Sequence, residues 1–204
     1  RMTSSSTLVR LIKTQAQSLG FDAVGIARVP PPSSNLDSSS HASTPDAASL
    51  PLPSRLWWRL THWLEQHFHA TMTWMERDPQ RRSDPTKVLP GCQSMIVVGM
   101  NYFTDHIADE SQHAGRIARY AWGNDYHDLM ITRLKQLEAY LHEQIPEIQT
   151  KSYVDTGPIM EKAWAQEAGI GWIGKHTNLV STDYGSWLLL GEILTTSELE
   201  ADEP

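Results

Sequence analysis

Residues 153–178 read Y-V-D-T-G-P-I-M-E-K-A-W-A-Q-E-A-G-I-G-W-I-G-K-H-T-N, and this stretch decides the fold around it. Tyr153 suits the end of a strand, and Gly157 permits a sharp bend. Pro158 fits the first turn of a helix, because the N–H that it lacks has no helical partner there. The order of these residues therefore predicts a strand-to-helix junction at Asp155.

The same stretch predicts a short amphipathic helix that begins near Pro158 and ends at Gly169, a residue typical of helix C-termini. Apolar side chains recur at helical spacing and form the predicted buried stripe: Met160, Trp164 and Ala168. Charged side chains fall on the opposite, outward side: Glu161, Lys162 and Glu167. The helix is thus expected to pack one face, centred on a tryptophan, against the rest of the protein.

Asp155 has two interpretations at this junction. A side chain between a strand and a helix is held by regular structure yet open toward a crevice, and the helix N-terminus adds positive potential there. An acid in this place is suited to chemistry. The same acid could instead cap the helix that starts at Pro158, and the residues alone leave both interpretations open.

Two nucleotide-binding patterns occur within Gly169–Lys175. G-I-G-W-I-G satisfies G-x-G-x-x-G, and the added lysine satisfies the first seven positions of a P-loop. Both patterns bind phosphate only when a strand leads in and a helix leads out. Here a helix precedes the glycines, residues 177–181 read as a strand, and His176 stands where a P-loop has Ser or Thr. The order predicts a turn and disfavours nucleotide binding.

The whole run D-T-G-P-x-x-E-x-A-x-A-x-x-A-G-x-G-W-x-G-K-x-T-N resembles the epoxyqueuosine reductases, iron–sulfur and cobalamin enzymes that complete the queuosine base of tRNA. Three upstream stretches resemble the same family: M-T-W-M at 72–75, P-G-C-Q-S-M-I-V-V-G-M-N-Y at 90–102, and R-Y-A-W-G-N-D-Y-H at 119–127. The resemblance covers most of the chain from about Thr7 onward.

The resemblance implies that cobalamin binds here and that Asp155 donates a proton as the epoxide of the wobble-position base opens. It implies cobalamin contacts at nine positions: Arg77, Tyr120, Asp155, Thr156, Lys175, His176, Asn178, Leu179 and Leu190. An unperturbed Asp has a pKa of about 3.9, so a neutral donor at pH 7 needs desolvation, which a covering macrocycle could supply. The implied partners are a tRNA with a queuosine-type anticodon stem-loop and an electron donor.

The resemblance also implies that the family's complete enzymes carry 4Fe-4S clusters in a cysteine-rich, ferredoxin-like module. This chain has one cysteine, Cys92, so it cannot hold such clusters. The acidic residues 197–204 resemble the linker that precedes that module. Two other functions remain open: a non-catalytic corrinoid-binding or carrier domain, and nucleotide binding by Gly169–Lys175.

Composition narrows the class of protein. The 204 residues are expected to fold as one domain, 40% of them are hydrophobic, and no apolar run reaches membrane-spanning length. A single cysteine excludes an internal disulfide framework, which together with the absence of a secretory signal predicts the reducing cytoplasm. We also expect a monomer. Because the net charge is −7, any RNA contact must be local. The candidate patch, which could equally be solvated surface, is Arg77, Arg81, Arg82 and Lys87.

These patterns together predict an α/β (α+β) fold with a central mixed sheet flanked by helices and a C-terminal β-hairpin. The predicted division is 1–29 for the start of the domain, 30–53 for a disordered Pro/Ser/Ala-rich insertion, 54–196 for the remainder and 197–204 for the linker. Predicted strands are 21–29, a central apolar strand at 95–100, and a hairpin of 179–181 with 187–194.

Three further helices are predicted from apolar spacing. Their inward stripes are Leu8, Leu11, Ile12 and Leu19 after Thr7; Trp57, Leu60, Leu64 and Phe68 after Ser54; and Met130, Leu134, Leu137 and Leu141 before Pro146. His127, just before the last of these helices, invites a metal-ligand interpretation. A lone histidine beside an acid is more often hydrogen-bonded and structural, and we expect that here.

Overall fold

A computed structural model describes residues 5–30, 50–107 and 115–204. Five α-helices lie in this part of the chain: α1 Ser5–Ser18, α2 Leu52–Glu65, α3 Pro79–Ser83, α4 Tyr126–Gln144 and α5 Glu161–Glu167. Six strands accompany them: β1 Ala23–Arg28, β2 Ser94–Asn101, β3 Thr150–Tyr153, β4 Trp172–Ile173, β5 Leu179–Val180 and β6 Leu188–Thr195. Most of the predicted insertion, residues 31–49, lies outside the described residues.

The main sheet has the strand order β1-β2-β6-β3. Strand β2 is central, as its apolar run predicts, and residues 94–100 are all buried. The predicted α/β class is confirmed, but every pair in this sheet is antiparallel instead of mixed. Because neighbouring strands run in opposite directions, the C-terminal end of β2 meets the start of β6, and this edge of the sheet carries the site described below.

Helices cover both faces of the sheet. On one face α1 and α4 pack through a core that includes Ile12, Leu134 and Ile193. On the other face α5 packs through Trp164, which is fully buried, against β1 and β2. The predicted stripe of α4 is confirmed, since its four apolar residues are 0% exposed: Met130, Leu134, Leu137 and Leu141.

Two residues that were predicted to face inward, Leu11 and Phe68, are exposed instead. Leu11 is 37% exposed, because α1 instead turns Val9, Ile12 and Ala16 toward the core. Phe68 is 64% exposed, because α2 ends at Glu65 and the chain reverses at His67, whose φ is +56°. Helix α2 also begins at Leu52, two residues before the predicted start, with Pro53 in its first turn.

Helix α5 begins three residues later than predicted, at Glu161. Residues 154–160 form a loop in which Gly157 lies against Tyr153, since a Cβ on it would be 2.5 Å from the ring. We call residues 154–160 the Asp155 loop. Glu161 was predicted to face outward, but its carboxyl oxygen Oε1 is buried.

The predicted C-terminal hairpin differs in its pairing. Strand β5 pairs with β4, so the hairpin closes over residues 174–178, while β6 joins the main sheet beside β2 and β3. A single bridge, Ser181 to Gly185, marks the predicted turn between β5 and β6. The two-residue strands β4 and β5 lie beside α5 and position the rim of the site.

The acidic residues at the C-terminus contact the domain. Leu199 is buried, and its N–H donates to the Ser94 hydroxyl at 2.9 Å. The N–H of Asp202 donates to the Ile26 carbonyl at 2.9 Å, and its carboxylate lies 2.5 Å from the Lys13 ammonium. This segment therefore runs beside β1. Within the described ranges no helix is long and apolar enough to cross a membrane.

Cys92 is buried, and burial raises the pKa of its thiol to about 11. The packed role predicted for it is thus confirmed. A pKa raised by two units lowers the fraction of Cys92 present as thiolate by about 100-fold at pH 8. We therefore expect its reaction with a disulfide reagent to be at least about 100-fold slower in the folded chain than in urea. Absorbance of the released thiolate measures this rate, and equal rates in both states would contradict the burial.

Candidate functional site

The Asp155 loop joins β3 to α5 at the edge of the main sheet. Asp155 has a φ of +54°, a backbone conformation that non-glycine residues seldom adopt. The N–H of Thr156 bonds the Val154 carbonyl at 2.6 Å. The N-cap of α5 is Met160, with no side-chain capping bond. Asp155 is therefore not the helix cap, which removes the structural alternative left open by the sequence.

The Asp155 carboxylate accepts hydrogen bonds from the first turn of α4. The Tyr126 hydroxyl donates to Oδ2, and His127 Nε2 lies 3.0 Å from the same oxygen. Asp125, the N-cap of α4, holds the other imidazole nitrogen at 2.7 Å. Asp155 is 43% exposed and His127 38% exposed, so this network is open to a ligand on one side.

Electrostatics favour a charged imidazole between the two acids. The hydrogen bond that His127 donates to Asp125, together with the charges of Asp125 and Asp155, raises the pKa of His127 above its usual value, against a smaller opposite effect of burial. Burial, then the bond to Asp155, raises the pKa of Tyr126. Both shifts favour the protonated forms of Tyr126 and His127 beside Asp155.

A cleft of about 300 Å³ adjoins this network, and we call it the Asp155 cleft. Tyr126, whose hydroxyl bonds Asp155, is one of its walls. The full lining is Tyr102, Tyr120, Tyr126, Lys162, Asn178, Leu179, Ser186, Leu188, Leu189 and Leu190. Leucines of β6 form an apolar floor, and hydroxyl, amide and ammonium groups form the rim. A larger hollow of about 560 Å³ lies at the opposite end of β2, around Cys92, away from Asp155.

The rim is held by the loop that closes the β4–β5 hairpin. Lys162 donates to the Asn178 side chain at 2.9 Å and to the Thr177 carbonyl at 3.1 Å. His176 contacts the Ser186 hydroxyl at 3.2 Å. The prediction that the glycine-rich turn leads into a strand and not into a helix is confirmed, since β5 follows it and pairs with β4.

The structure brings several of the predicted contact residues together. Four line the cleft: Tyr120, Asn178, Leu179 and Leu190. Asp155 and Thr156 lie in the adjoining loop, and His176 lies on the rim loop. Lys175 and Arg77 are exposed and are not among the lining residues. The predicted set is thus a cluster around one cleft with two members outside it.

The predicted contact set does not include six residues that line the cleft: Tyr102, Tyr126, Lys162, Ser186, Leu188 and Leu189. Tyr126 lies inside the matched stretch 119–127, which was the one signal available for it. Lys162 was assigned to an outward helical face, yet it holds the rim. Tyr102 follows the central strand, and its pKa is raised by burial against the cleft. His127 is hydrogen-bonded, as predicted.

Comparison with known proteins agrees with the geometry. The family model described as epoxyqueuosine reductase QueG, DUF1730, matches residues 82–156. The epoxyqueuosine reductase of Synechocystis sp. is 48% identical over 72% of this chain and 50% of its own length. That of Prochlorococcus marinus is 40% identical over 100% of this chain and 58% of its own length.

Solved structures show the same fold. An epoxyqueuosine reductase with an epoxyqueuosine-modified tRNA-Tyr stem loop is 28% identical, with a TM-score of 0.77 over 98% of this chain and 48% of that chain. A reductive dehalogenase, whose structure suggests a mechanism for B12-dependent dehalogenation, shares the fold at 16% identity, with a TM-score of 0.53 over 95% of this chain and 20% of its own.

This chain spans about half the length of the curated relatives that it matches. Within that span the family-model match runs through the central strand and α4 to the start of the Asp155 loop. Over the length that it covers, the chain belongs to the epoxyqueuosine reductase family.

Proposed function

We propose that this chain is the cobalamin-binding half of a reductase that converts epoxyqueuosine to queuosine at the wobble position of tRNA, with Asp155 as the proton donor. One observation carries the proposal: the Asp155 carboxylate, held by Tyr126 and His127, adjoins an open cleft with an apolar floor. Family membership supplies the reaction, and the cleft supplies a place for it.

The residues of the cleft fit the cofactor. Leu188 and Leu190 offer a flat apolar surface on β6 for a macrocycle, while Lys162, Asn178 and Ser186 offer rim groups that bond amides or phosphate. The shared fold of the B12-dependent dehalogenase supports the same ligand class. When bound, cobalamin would supply the electrons that cleave the carbon–oxygen bonds of the epoxide.

Residues of this chain would donate and replace the proton that the reaction needs. Opening an epoxide leaves negative charge on oxygen, so a positioned acid lowers the barrier. Tyr126 donates to Asp155 and fixes its rotamer. His127, whose pKa is raised by its hydrogen bond to Asp125, lies 3.0 Å from Asp155 and would return a proton to it after donation. A ligand covering the cleft would exclude water from the carboxyl group of Asp155.

Contact with tRNA would be local, because the net charge of the chain is −7. The Arg119 guanidinium lies 5.2–5.5 Å from the rings of Phe103, Trp122 and Trp187, next to the cleft. Exposed aromatic and guanidinium planes stack well on unpaired bases. Within the predicted basic patch, Arg82 lies 5.0 Å from the Trp74 ring.

The complete enzyme would need a second, cluster-bearing module and a source of electrons. Residues 197–204 would connect the domain to a cluster-bearing module, and an external donor would reduce those clusters. The enzyme would act as a monomer, with residues 30–53 as an insertion in the domain.

Cobalamin titration of the purified chain, followed by absorbance, tests the cofactor assignment. We expect saturable binding that weakens at least about tenfold in a Lys162→Ala/Asn178→Ala variant, because the rim loop loses its anchor and two polar groups. Lys87→Ala, an exposed change at the opposite end of β2, is the matched control and should bind as the unchanged chain does. Binding that is equal in all three proteins would contradict the assignment of the cleft.

A further inference from the structure

Two glutamates lie behind Asp155, and the proposed reaction uses neither. Glu192, in the middle of β6, is 0% exposed, and neither carboxylate oxygen has a hydrogen-bond partner in the described part of the chain. Glu161, the first residue of α5, has a buried oxygen, Oε1, that also has none there. Buried polar atoms almost always have partners, so this pair requires a physical explanation.

The position of Glu192 connects it to the cleft. Side chains two apart on a strand share a face, so Glu192 follows Leu188 and Leu190, which line the cleft, in one row of β6. This is the face against which α5 packs. The residues opposite Glu192 on the neighbouring strands are Val97 and Tyr153, and neither carries a positive charge.

A buried carboxylate without a cation or donor is strongly disfavoured, and it takes up a proton instead. Burial raises the pKa of Glu161 to about 7, helped by the charge of Asp155 and opposed by Lys162 and Arg82. Burial also raises the pKa of Glu192 well above its usual value, helped by the charges of Glu161 and Asp155. Glu161 is the first residue of α5, and Glu192 lies on the face of β6 against which α5 packs. Buried carboxyl groups that approach each other can satisfy their oxygens by sharing a proton, as paired acids do in other proteins.

We propose that Glu161 and Glu192 share a proton and that this contact positions the Asp155 loop against β6. Glu161 ends that loop, so a bond from it to the central sheet fixes the loop's C-terminal side, while Tyr126 and His127 fix Asp155 itself. Glu161 is thus a positioning residue. Its role for Asp155 rests on the proposed function, but the shared proton does not.

A shared proton predicts that the free energy of unfolding falls as the pH rises. The folded state holds this proton more tightly than the unfolded chain, whose glutamates ionise near 4.5. The stabilisation is complete below about pH 4.5, is lost progressively as the pH rises, and is gone above about 7 for Glu161. Each pKa unit is tenfold in the folding equilibrium constant, so Glu161 alone should account for a loss on the order of 100-fold.

Urea unfolding of the 204-residue chain between about pH 5 and pH 9 tests the shared proton. Glu161→Gln/Glu192→Gln, in which both side chains are permanently neutral, should lack the loss on the order of 100-fold. Glu143→Gln, an exposed change in the last turn of α4, is the matched control and should retain it. If the double variant does not fold, Glu161→Gln alone should still flatten the curve. A variant with the unchanged slope would overturn the proposal.

Amide hydrogen exchange of residues 154–160, corrected for the intrinsic effect of pH, tests the positioning role. In the unchanged chain the exchange of this loop should speed up by about tenfold or more from pH 6 to above pH 8, because ionised acids no longer hold it. In the Gln variants it should stay protected at both pH values. The same pH response in all chains would overturn the positioning role.

Neither measurement needs cobalamin or RNA, so the two proposals can fail separately. Loss of corrin binding in a chain that retains the pH response would count against the proposed function alone. Normal corrin binding in a chain without that response would count against the shared proton alone.

Discussion

Asp155→Asn is expected to lower epoxyqueuosine turnover by about 10²–10⁴-fold, the usual contribution of a positioned general acid. The amide keeps the size of the side chain, and its oxygen can still accept from Tyr126, but it has no acidic proton to donate. Cobalamin affinity should stay within about threefold, because the floor and rim of the cleft are unchanged. The loss should therefore appear in the rate of the chemical step.

The assay needs the clusters that this chain cannot hold, so residues 1–204 would be joined to the C-terminal half of the Synechocystis relative. Turnover is measured on an epoxyqueuosine-containing stem loop. Asp128→Asn, an exposed change on α4, is the matched control and should leave the rate unchanged. If Asp155→Asn retains a third or more of the activity, the proton comes from elsewhere. Unchanged complementation would instead favour a non-catalytic carrier domain.

Gly25→Ala is expected to destabilise the fold by about 3 kcal/mol, at the upper end of the usual cost of overpacking. A Cβ on Gly25 would lie 2.0 Å from the carbonyl oxygen of Ala168 and 3.0 Å from its Cβ. The clash is with the backbone at the end of α5, which cannot rotate away as a side chain could. Either α5 or β1 must move, and Trp164 lies fully buried in the same layer.

Urea unfolding measures this loss as a lower midpoint at an unchanged slope. Gly115→Ala is the matched control, since a Cβ there meets nothing within 4 Å, and it should change stability by less than about 0.5 kcal/mol. Equal midpoints for Gly25→Ala and the unchanged chain would show that α5 does not pack on β1 at this distance. A Gly25→Ser variant, with a larger side chain, should be less stable still.

Two comparisons show where local pattern was sufficient. Residues 95–100 are apolar without a break, and only a strand covered on both faces can bury them all, so the central strand was predictable. The helical spacing of Met130 to Leu141 likewise left one inward face. The prediction for Phe68 was wrong because the chain reverses at His67, just beyond the end of α2. Apolar spacing alone does not show where a helix stops.

Neighbouring residues were enough to predict that a strand leads to Asp155, that a helix follows it and that the glycine-rich turn leads into a strand. Only the folded structure shows that Tyr126 and His127 reach Asp155, that Lys162 anchors the rim and that an oxygen of Glu161 is buried. Those contacts join residues that are far apart in the chain or depend on which strands are neighbours, and the order β1-β2-β6-β3 is fixed by the packing of whole layers.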